Sequence, residues 1–235
     1  MKPGLILVAL TLMLTGCLNL GARTDTPGVV YYVLDDSAPP AVATPVRAGA
    51  LKDSDPLRAK ARVESYAPQG DSDPLRAKAR VESYAPTLLV LDTATGGFYD
   101  TEQLIFSRSA GTRGQYQFAR WTERPGKRFA ELMRVRLDRQ GAWHVSAAGG
   151  YVRGDMLLDT ELIEFYHDAV SQPGQVRLVL RAELVDLKQR KLLGRRVFEQ
   201  QVALATFDAA GAAQASSQAV SQALDELTAW LATLQ

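Results

Sequence analysis

Apolar and polar side chains alternate through residues 176–204, which read VRLVLRAELVDLKQRKLLGRRVFEQQVAL. A period of two places alternate side chains on one face of a β-strand. The segment KQRK (188–191) interrupts the alternation and predicts the turn of a long antiparallel hairpin. The apolar face is predicted to consist of Val176, Leu178, Leu180, Ala182 and Leu184 on the first strand, and Phe198, Val202 and Leu204 on the return.

Shorter apolar runs on the N-terminal side of this hairpin predict further strands. They are residues 29–34, 87–92, 104–109, 115–120, 142–147 and 156–168. In the last of these runs, a strict alternation would place Leu162, Glu164 and Tyr166 on the same face.

Two segments have the spacing of amphipathic helices. The first begins at Pro125, because proline is tolerated in the first helical turn, and ends at Gly141. The second spans about residues 212–233 after a break at 208–211. Their apolar stripes are Phe129, Leu132, Met133 and Leu137 in the first helix, and Val220, Leu224, Leu227, Leu231 and Leu234 in the second. The pattern predicts an α+β fold, with two helices packed on a mainly antiparallel sheet of about seven strands.

The N-terminus has the features of a bacterial lipoprotein signal. Lys2 is followed by an apolar run from Leu5 to Leu14, too short to span a bilayer, and then by Thr15-Gly16-Cys17. This sequence resembles a lipobox, in which two small residues precede the cysteine that receives the lipid. The resemblance implies cleavage after residue 16 and a covalent lipid on Cys17, with no other cofactor. Leu18, where aspartate would favour retention in the inner membrane, favours the outer membrane.

The signal peptide (1–16) is followed by a predicted tether (17–28) and a single domain (29–235). An extended tether of this length reaches about 40 Å at most, so the domain would remain close to its membrane. The domain contains an exact duplication, since residues 53–68 and 71–86 both read DSDPLRAKARVESYAP. The repeated residues suit either a short strand or a short helix. The first copy is predicted to be a surface insertion, and deletion of residues 53–70 should leave the melting temperature almost unchanged.

Composition argues against several classes of function. Cys17 is the only cysteine, which excludes an intramolecular disulfide and a cysteine-based zinc site. Without Lys2 the chain carries 26 basic and 26 acidic side chains, so a face for nucleic acid is unsupported. His144 and His167 are the only histidines. We expect His144 to have a surface or structural role and His167 to lie at the hydrophilic end of a strand. No catalytic or metal site is predicted.

Two groups of residues are candidates for contact with a partner. Arg195 and Arg196 belong to a basic cluster around the predicted hairpin turn, where a solvated turn is the alternative interpretation. Arg120 and Trp121 lie at a strand-to-helix junction. Trp121 would either cover the end of the helix in the core or anchor another chain, since Trp and Arg are favoured at binding hot spots.

Several of these segments together resemble the ABC-type transport auxiliary lipoproteins, a family that includes the lipoprotein of the paraquat-inducible Pqi system. The resemblance rests on the order of the lipobox, the strand YYVL (31–34), YDTEQL (99–104), ARW (119–121) before Pro125, RAEL (181–184), GRRVF (194–198) and the Ala-rich last helix. The duplication departs from the family's pattern.

The resemblance implies a non-enzymatic subunit at the inner leaflet of the outer membrane, facing the periplasm. Its partners would be an MCE-domain protein, which moves lipids between the two membranes, and ABC transporter subunits; a homo-oligomer is also compatible. Two other classes remain open: a lipoprotein that regulates or assembles envelope machinery, such as a peptidoglycan synthase, and an envelope hydrolase. Alanine substitution of both histidines without effect would remove the hydrolase.

Overall fold

The computed structural model describes residues 28–37 and 85–234, and all nine strands in these two segments belong to one sheet. The signal peptide, Cys17, the tether and most of the duplication lie outside the described residues. The elements are β1 (Val30–Tyr32), β2 (Thr87–Val90), β3 (Ala94–Thr95), β4 (Gln103–Ser107), β5 (Gly114–Trp121), α1 (Pro125–Gln140), β6 (His144–Ala147), β7 (Met156–Asp168), β8 (Gln175–Asp186), β9 (Lys191–Ala203) and α2 (Ala209–Ala232).

Strands β7, β8 and β9 form a long antiparallel meander. Pairing runs from Met156 opposite Asp186 to Asp168 opposite Gln175, and β9 then returns along β8. The apolar face predicted for the hairpin is confirmed, because every one of its residues is buried.

The other edge of β7 is shared by three short strands. Strand β2 pairs with its beginning, β3 with its middle and β4 with its end, all in the parallel direction. Strands β6 and β1 are also parallel to their neighbours, β2 and β5. The sheet is therefore mixed rather than purely antiparallel, although most of its paired residues belong to the antiparallel meander. The structure agrees with the predicted α+β class. Side-chain alternation reports which face a residue occupies but not the direction of the neighbouring strand.

A β-bulge in β7 changes which side chains face the core. The register shifts between Leu162 and Glu164, and Ile163 is exposed at the shift. Leu162 points into the core, whereas Glu164 is half-buried on the outer face. The expected common face of Leu162 and Glu164 is wrong, because one extra residue reverses the alternation.

Both helices cover the same face of the sheet and enclose the core. Helix α1 has Pro125 in its first turn and ends at Gly141, whose φ of 70° is left-handed. Helix α2 begins at Ala209, about one turn before the predicted start, because the Asp208 side chain caps it by accepting the Gly211 N–H at 2.7 Å. The predicted stripes of both helices lie in the core, with Leu234 partly buried at its border.

Register defines two ends of the sheet. We call the end where β7 finishes the near end, because β1 runs opposite to β7 and Gly28 lies level with the last residues of β7. The far end is where β7 begins. It contains the β8–β9 turn (187–190) and the last part of the β6–β7 loop (148–155), which begins level with Leu158 and returns to the start of β7.

Candidate partner-binding surface

The two histidines lie on different strands and do not form a common site. His144 is exposed at the start of β6. His167 is near the end of β7 and is only 3% exposed, so the expected hydrophilic strand end is corrected. The bulge in β7 explains the difference, because it turns His167 towards the interior.

Aromatic side chains surround His167. Its Nδ1 is hydrogen-bonded to the Tyr116 hydroxyl at 2.8 Å, and the edge of its ring contacts Phe207. Its Nε2 is buried, has no hydrogen-bond partner among the described residues and lies close to Gly174, where a Cβ atom would approach within 2.5 Å. Burial lowers the pKa of His167. The arrangement is that of a neutral histidine packed in the structure.

The part of the chain that the structure describes also lacks a cluster of metal ligands and a helix that could span a membrane. Residues 28–37 and 85–234 contain no group of His, Cys, Asp and Glu side chains that could hold a metal ion. Neither described helix is long and apolar enough to cross a membrane.

Trp121 lies in the core. It is 3% exposed, and its ring stacks on that of Phe165 with centroids 6.0 Å apart. Of the two interpretations of this residue, the structure supports packing and corrects the expectation of a direct partner contact. The Trp121 N–H donates to the Glu102 carbonyl at 2.5 Å, which fixes the end of β5 against the residue before β4.

The predicted arginines differ in their surroundings. Arg120 is half-buried next to Trp121, and its Nε has no hydrogen-bond partner among the described residues. Arg195 donates from Nε to Glu183 at 2.8 Å on the outer face of the sheet. Arg196 is exposed, with its guanidinium 5.2 Å from the centre of the Phe198 ring. The structure therefore does not bring the arginines together with Trp121 on one exposed surface.

A polar cluster joins the N-terminal segment to both helices. Arg136 of α1 donates to both carboxylate oxygens of Asp36, at 2.8 and 2.5 Å, and also pairs with Asp225 of α2. The Ser221 hydroxyl of α2 donates to Asp36 at 2.7 Å. The Asp36 and Arg136 side chains are 15% and 14% exposed. We call this group the Asp36 clamp; it holds the chain after β1 against the helices.

An exposed surface that the sequence interpretation did not identify lies at the far end of the sheet. The β6–β7 loop and the β8–β9 turn are joined there, since Leu187 N–H donates to the Asp155 carbonyl at 2.9 Å. Tyr151 is fully exposed, and Val152 and Leu192 are 51% and 45% exposed. We call this surface the distal patch; it consists of Tyr151, Val152, Arg153, Arg190, Lys191 and Leu192.

The signals for this patch were visible in two separate parts of the sequence. The glycine pair 149–150 predicts a turn, and a Tyr-Val-Arg segment directly after it would be displayed on that turn. The basic residues near 188–191 were recognised as a hairpin turn. Their proximity depends on the return of β8 along β7, which joins segments distant in sequence.

Comparison with known proteins identifies the family. The model of the family described as "ABC-type transport auxiliary lipoprotein component" matches residues 72–228. The chain belongs to this family. The matched range extends from the second copy of the duplication through most of α2, and thus includes both ends of the sheet and the distal patch.

Solved structures share the fold of this auxiliary lipoprotein component. Protein XCC0632 from Xanthomonas campestris superposes with a TM-score of 0.60 at 19% identity, covering 65% of this chain and 87% of that one. A second crystal structure, of a protein described only as uncharacterized, gives a TM-score of 0.55 at 14% identity, covering 63% and 92%. At these identities the likeness concerns the fold alone. No match was found among curated proteins.

Proposed function

We propose that this protein is the outer-membrane lipoprotein subunit of an MCE/ABC-type intermembrane lipid transport system, where it docks or receives the component that spans the periplasm. The observation that carries the proposal is membership of the transport auxiliary lipoprotein family over residues 72–228. The role is one of binding, without catalysis.

The arrangement of the described residues supports a binding role. His144 and His167 are on separate strands, and His167 is enclosed by aromatic rings. The outer face of the meander is occupied by ion pairs between neighbouring strands, such as Arg177 with Glu164 and Arg195 with Glu183. The exposed apolar side chains at the far end are instead suited to contact with another protein.

A lipid on Cys17 would hold the domain at the membrane. Several acyl chains, each contributing about 0.8 kcal/mol per buried methylene, anchor a protein firmly where a single chain does not. We expect wild-type protein to incorporate labelled palmitate and to fractionate with outer membranes. Cys17→Ser should lose the label and appear in the soluble periplasmic fraction. A labelled or membrane-bound Cys17→Ser protein would contradict anchoring at this residue.

The partner is tested by crosslinked capture from intact cells. Full-length protein with a C-terminal tag, expressed from its own locus, is captured after gentle solubilisation of the envelope. Recovery of an MCE-domain protein together with an ABC permease or ATPase is the expected result. Recovery of a peptidoglycan synthase or a β-barrel assembly protein, without transporter subunits, would refute the proposal and favour the regulator or assembly role.

A further inference from the structure

The charges of the distal patch are unevenly compensated. Of the two acids beside it, Asp155 pairs with Lys188 at 2.7 Å and accepts the Thr87 N–H at 2.9 Å, and the hydrogen bond from Lys188 lowers its pKa. Asp186 accepts the N–H groups of Lys188 and Gln189, which closes the β8–β9 turn. Asp155 thus helps to join the two loops, and Asp186 is occupied within the β8–β9 turn.

The three basic members of the patch are less fully compensated. Within the described residues, Arg153, Arg190 and Lys191 form no ion pair, and of the three only Arg153 interacts electrostatically with Asp155. Arg153 follows the exposed Tyr151 and Val152 in one loop, and Arg190 and Lys191 precede the exposed Leu192 after the turn to which that loop is hydrogen-bonded. Exposed aromatic and aliphatic groups with basic residues at the rim are complementary to an apolar segment that carries carboxylates.

The direction in which the patch faces follows from the tether. Cys17 precedes Gly28 by eleven positions, and the thirteen residues of β7 extend over roughly 40 Å. Gly28 lies level with the end of β7, at the near end of the sheet. A lipid on Cys17 would therefore keep the near end towards the membrane, and the distal patch would face the periplasm.

The chain's own segment 38–84 is a poor electrostatic match for the patch. It re-enters the described structure at Ala85, close to the far end. It carries eight basic and six acidic side chains, so its net charge has the same sign as that of the patch. Charge complementarity thus favours a separate, acidic occupant.

We propose that the distal patch is the docking surface for an acidic, apolar segment of the periplasm-spanning component. This inference rests on the proposed function and assigns the surface by which that function is performed. Tyr151 and Val152 supply the apolar contact, and Arg190 and Lys191 pair with the segment's carboxylates.

The first test places a photocrosslinking amino acid, p-benzoylphenylalanine, at position 151 of the full-length lipidated protein. The matched control is position 170, because Val170 is also exposed in a turn but lies at the near end. We expect position 151 to crosslink to an MCE-domain protein, identified by mass spectrometry, and position 170 to give no such product. Crosslinking to that protein from 170 but not from 151 would overturn the inference, as would a crosslink from 151 only to residues 38–84 of the same chain.

The second test compares two charge reversals of equal size. Arg190→Glu with Lys191→Glu alters the patch, whereas Arg108→Glu with Lys127→Glu alters exposed residues away from it. The patch variant should lose about tenfold in captured MCE-domain protein, while the control retains wild-type capture. Circular dichroism and melting temperature of both variants establish that each is folded. Equal capture by the two folded variants would overturn the inference.

The two proposals fail in different ways. Wild-type capture of the transporter with no effect at the patch overturns the docking surface and leaves the proposed function standing. Wild-type protein that captures no transporter subunit overturns both. Sedimentation of Cys17→Ser protein with vesicles of equal parts phosphatidylethanolamine and phosphatidylglycerol, abolished by the patch reversal, would overturn the inference by identifying a lipid surface as the occupant.

Discussion

The two edges of β7 are paired in different ways. On one edge β8 follows it along its whole length, and β9 continues the meander. On the other edge β2, β3 and β4 pair with it over two or three residues each. The meander therefore has continuous ladders between neighbours in sequence, whereas the other side is assembled from short pairings between distant segments.

This difference affects how each side is stabilised. The meander lies under α2, where apolar side chains such as Leu180, Phe198 and Leu224 are almost completely buried. The side with the short strands also buries apolar groups, including Leu34 of the N-terminal segment, and the Asp36 clamp adds polar contacts to that segment. Hydrophobic burial should thus dominate the free energy of unfolding of the meander, whereas the attachment of the N-terminal segment should also depend on polar contacts.

The largest effect is expected from Phe198→Ala in the meander. Phe198 is 1% exposed, and its ring meets that of Trp230 of α2 at 5.9 Å. Removal of the ring leaves a cavity between sheet and helix, which should cost about 3–5 kcal/mol in the free energy of unfolding. Denaturant unfolding of the unlipidated protein measures the loss. The neighbouring Val197→Ala, on the exposed face, should change it by less than about 0.5 kcal/mol; equal losses for both would contradict the assignment of the core face.

A smaller effect is expected from Arg136→Met in the Asp36 clamp. The substitution keeps much of the aliphatic packing but removes the hydrogen bonds from Arg136 to the mostly buried Asp36 carboxylate, which retains the one from Ser221. Partial exposure moderates the cost, so we expect a loss of about 1–2 kcal/mol. A double-mutant cycle with Asp36→Asn isolates the interaction between the two residues. A coupling free energy near zero would show that the clamp does not stabilise the folded chain.

The sequence predicted the parts of the fold that depend on local periodicity. The meander, the apolar stripes of both helices and the end of α1 at Gly141 follow from side-chain alternation, helical spacing and glycine's access to positive φ. The parallel pairings could not be predicted in this way, because they depend on which distant strands meet. The bulge at Ile163 was missed because an inserted residue has no signature in a single sequence. For the same reasons, neither the burial of His167 nor the proximity of the two segments of the distal patch could be predicted.

Acid should weaken the fold through His167. Burial lowers its pKa in the folded protein, so the folded state binds fewer protons than the unfolded chain once the pH falls below about 6.5, the ordinary pKa of histidine. Stability is therefore fully present above that pH and decreases as the pH falls towards the lowered value. Asp168 and Asp208 oppose the shift only partly.

The variant His167→Asn checks this origin of the pH dependence. Asparagine does not titrate and can still reach the Tyr116 hydroxyl. Between about pH 7 and pH 5, roughly the range in which histidine titrates, the free energy of unfolding of the variant should therefore depend less on pH than that of the wild-type protein. His144 is present in both proteins and does not affect the comparison. Parallel pH profiles would show that His167 titrates alike in the folded and unfolded states.

The smallest effect is expected from Arg195→Ala on the outer face of the meander. Arg195 pairs with Glu183, but the arginine side chain is 59% exposed, so water screens the interaction. We expect a change of less than about 0.5 kcal/mol in the free energy of unfolding, and less still in high salt.

The same variant should also be assayed for capture of the transporter, because the sequence predicts Arg195 and Arg196 as candidates for partner contact. A large loss of capture without a loss of stability would move the docking surface from the far end of the sheet to its outer face. Unchanged capture and stability would show that the Arg195–Glu183 ion pair contributes to neither, and would leave binding to the loops at the far end.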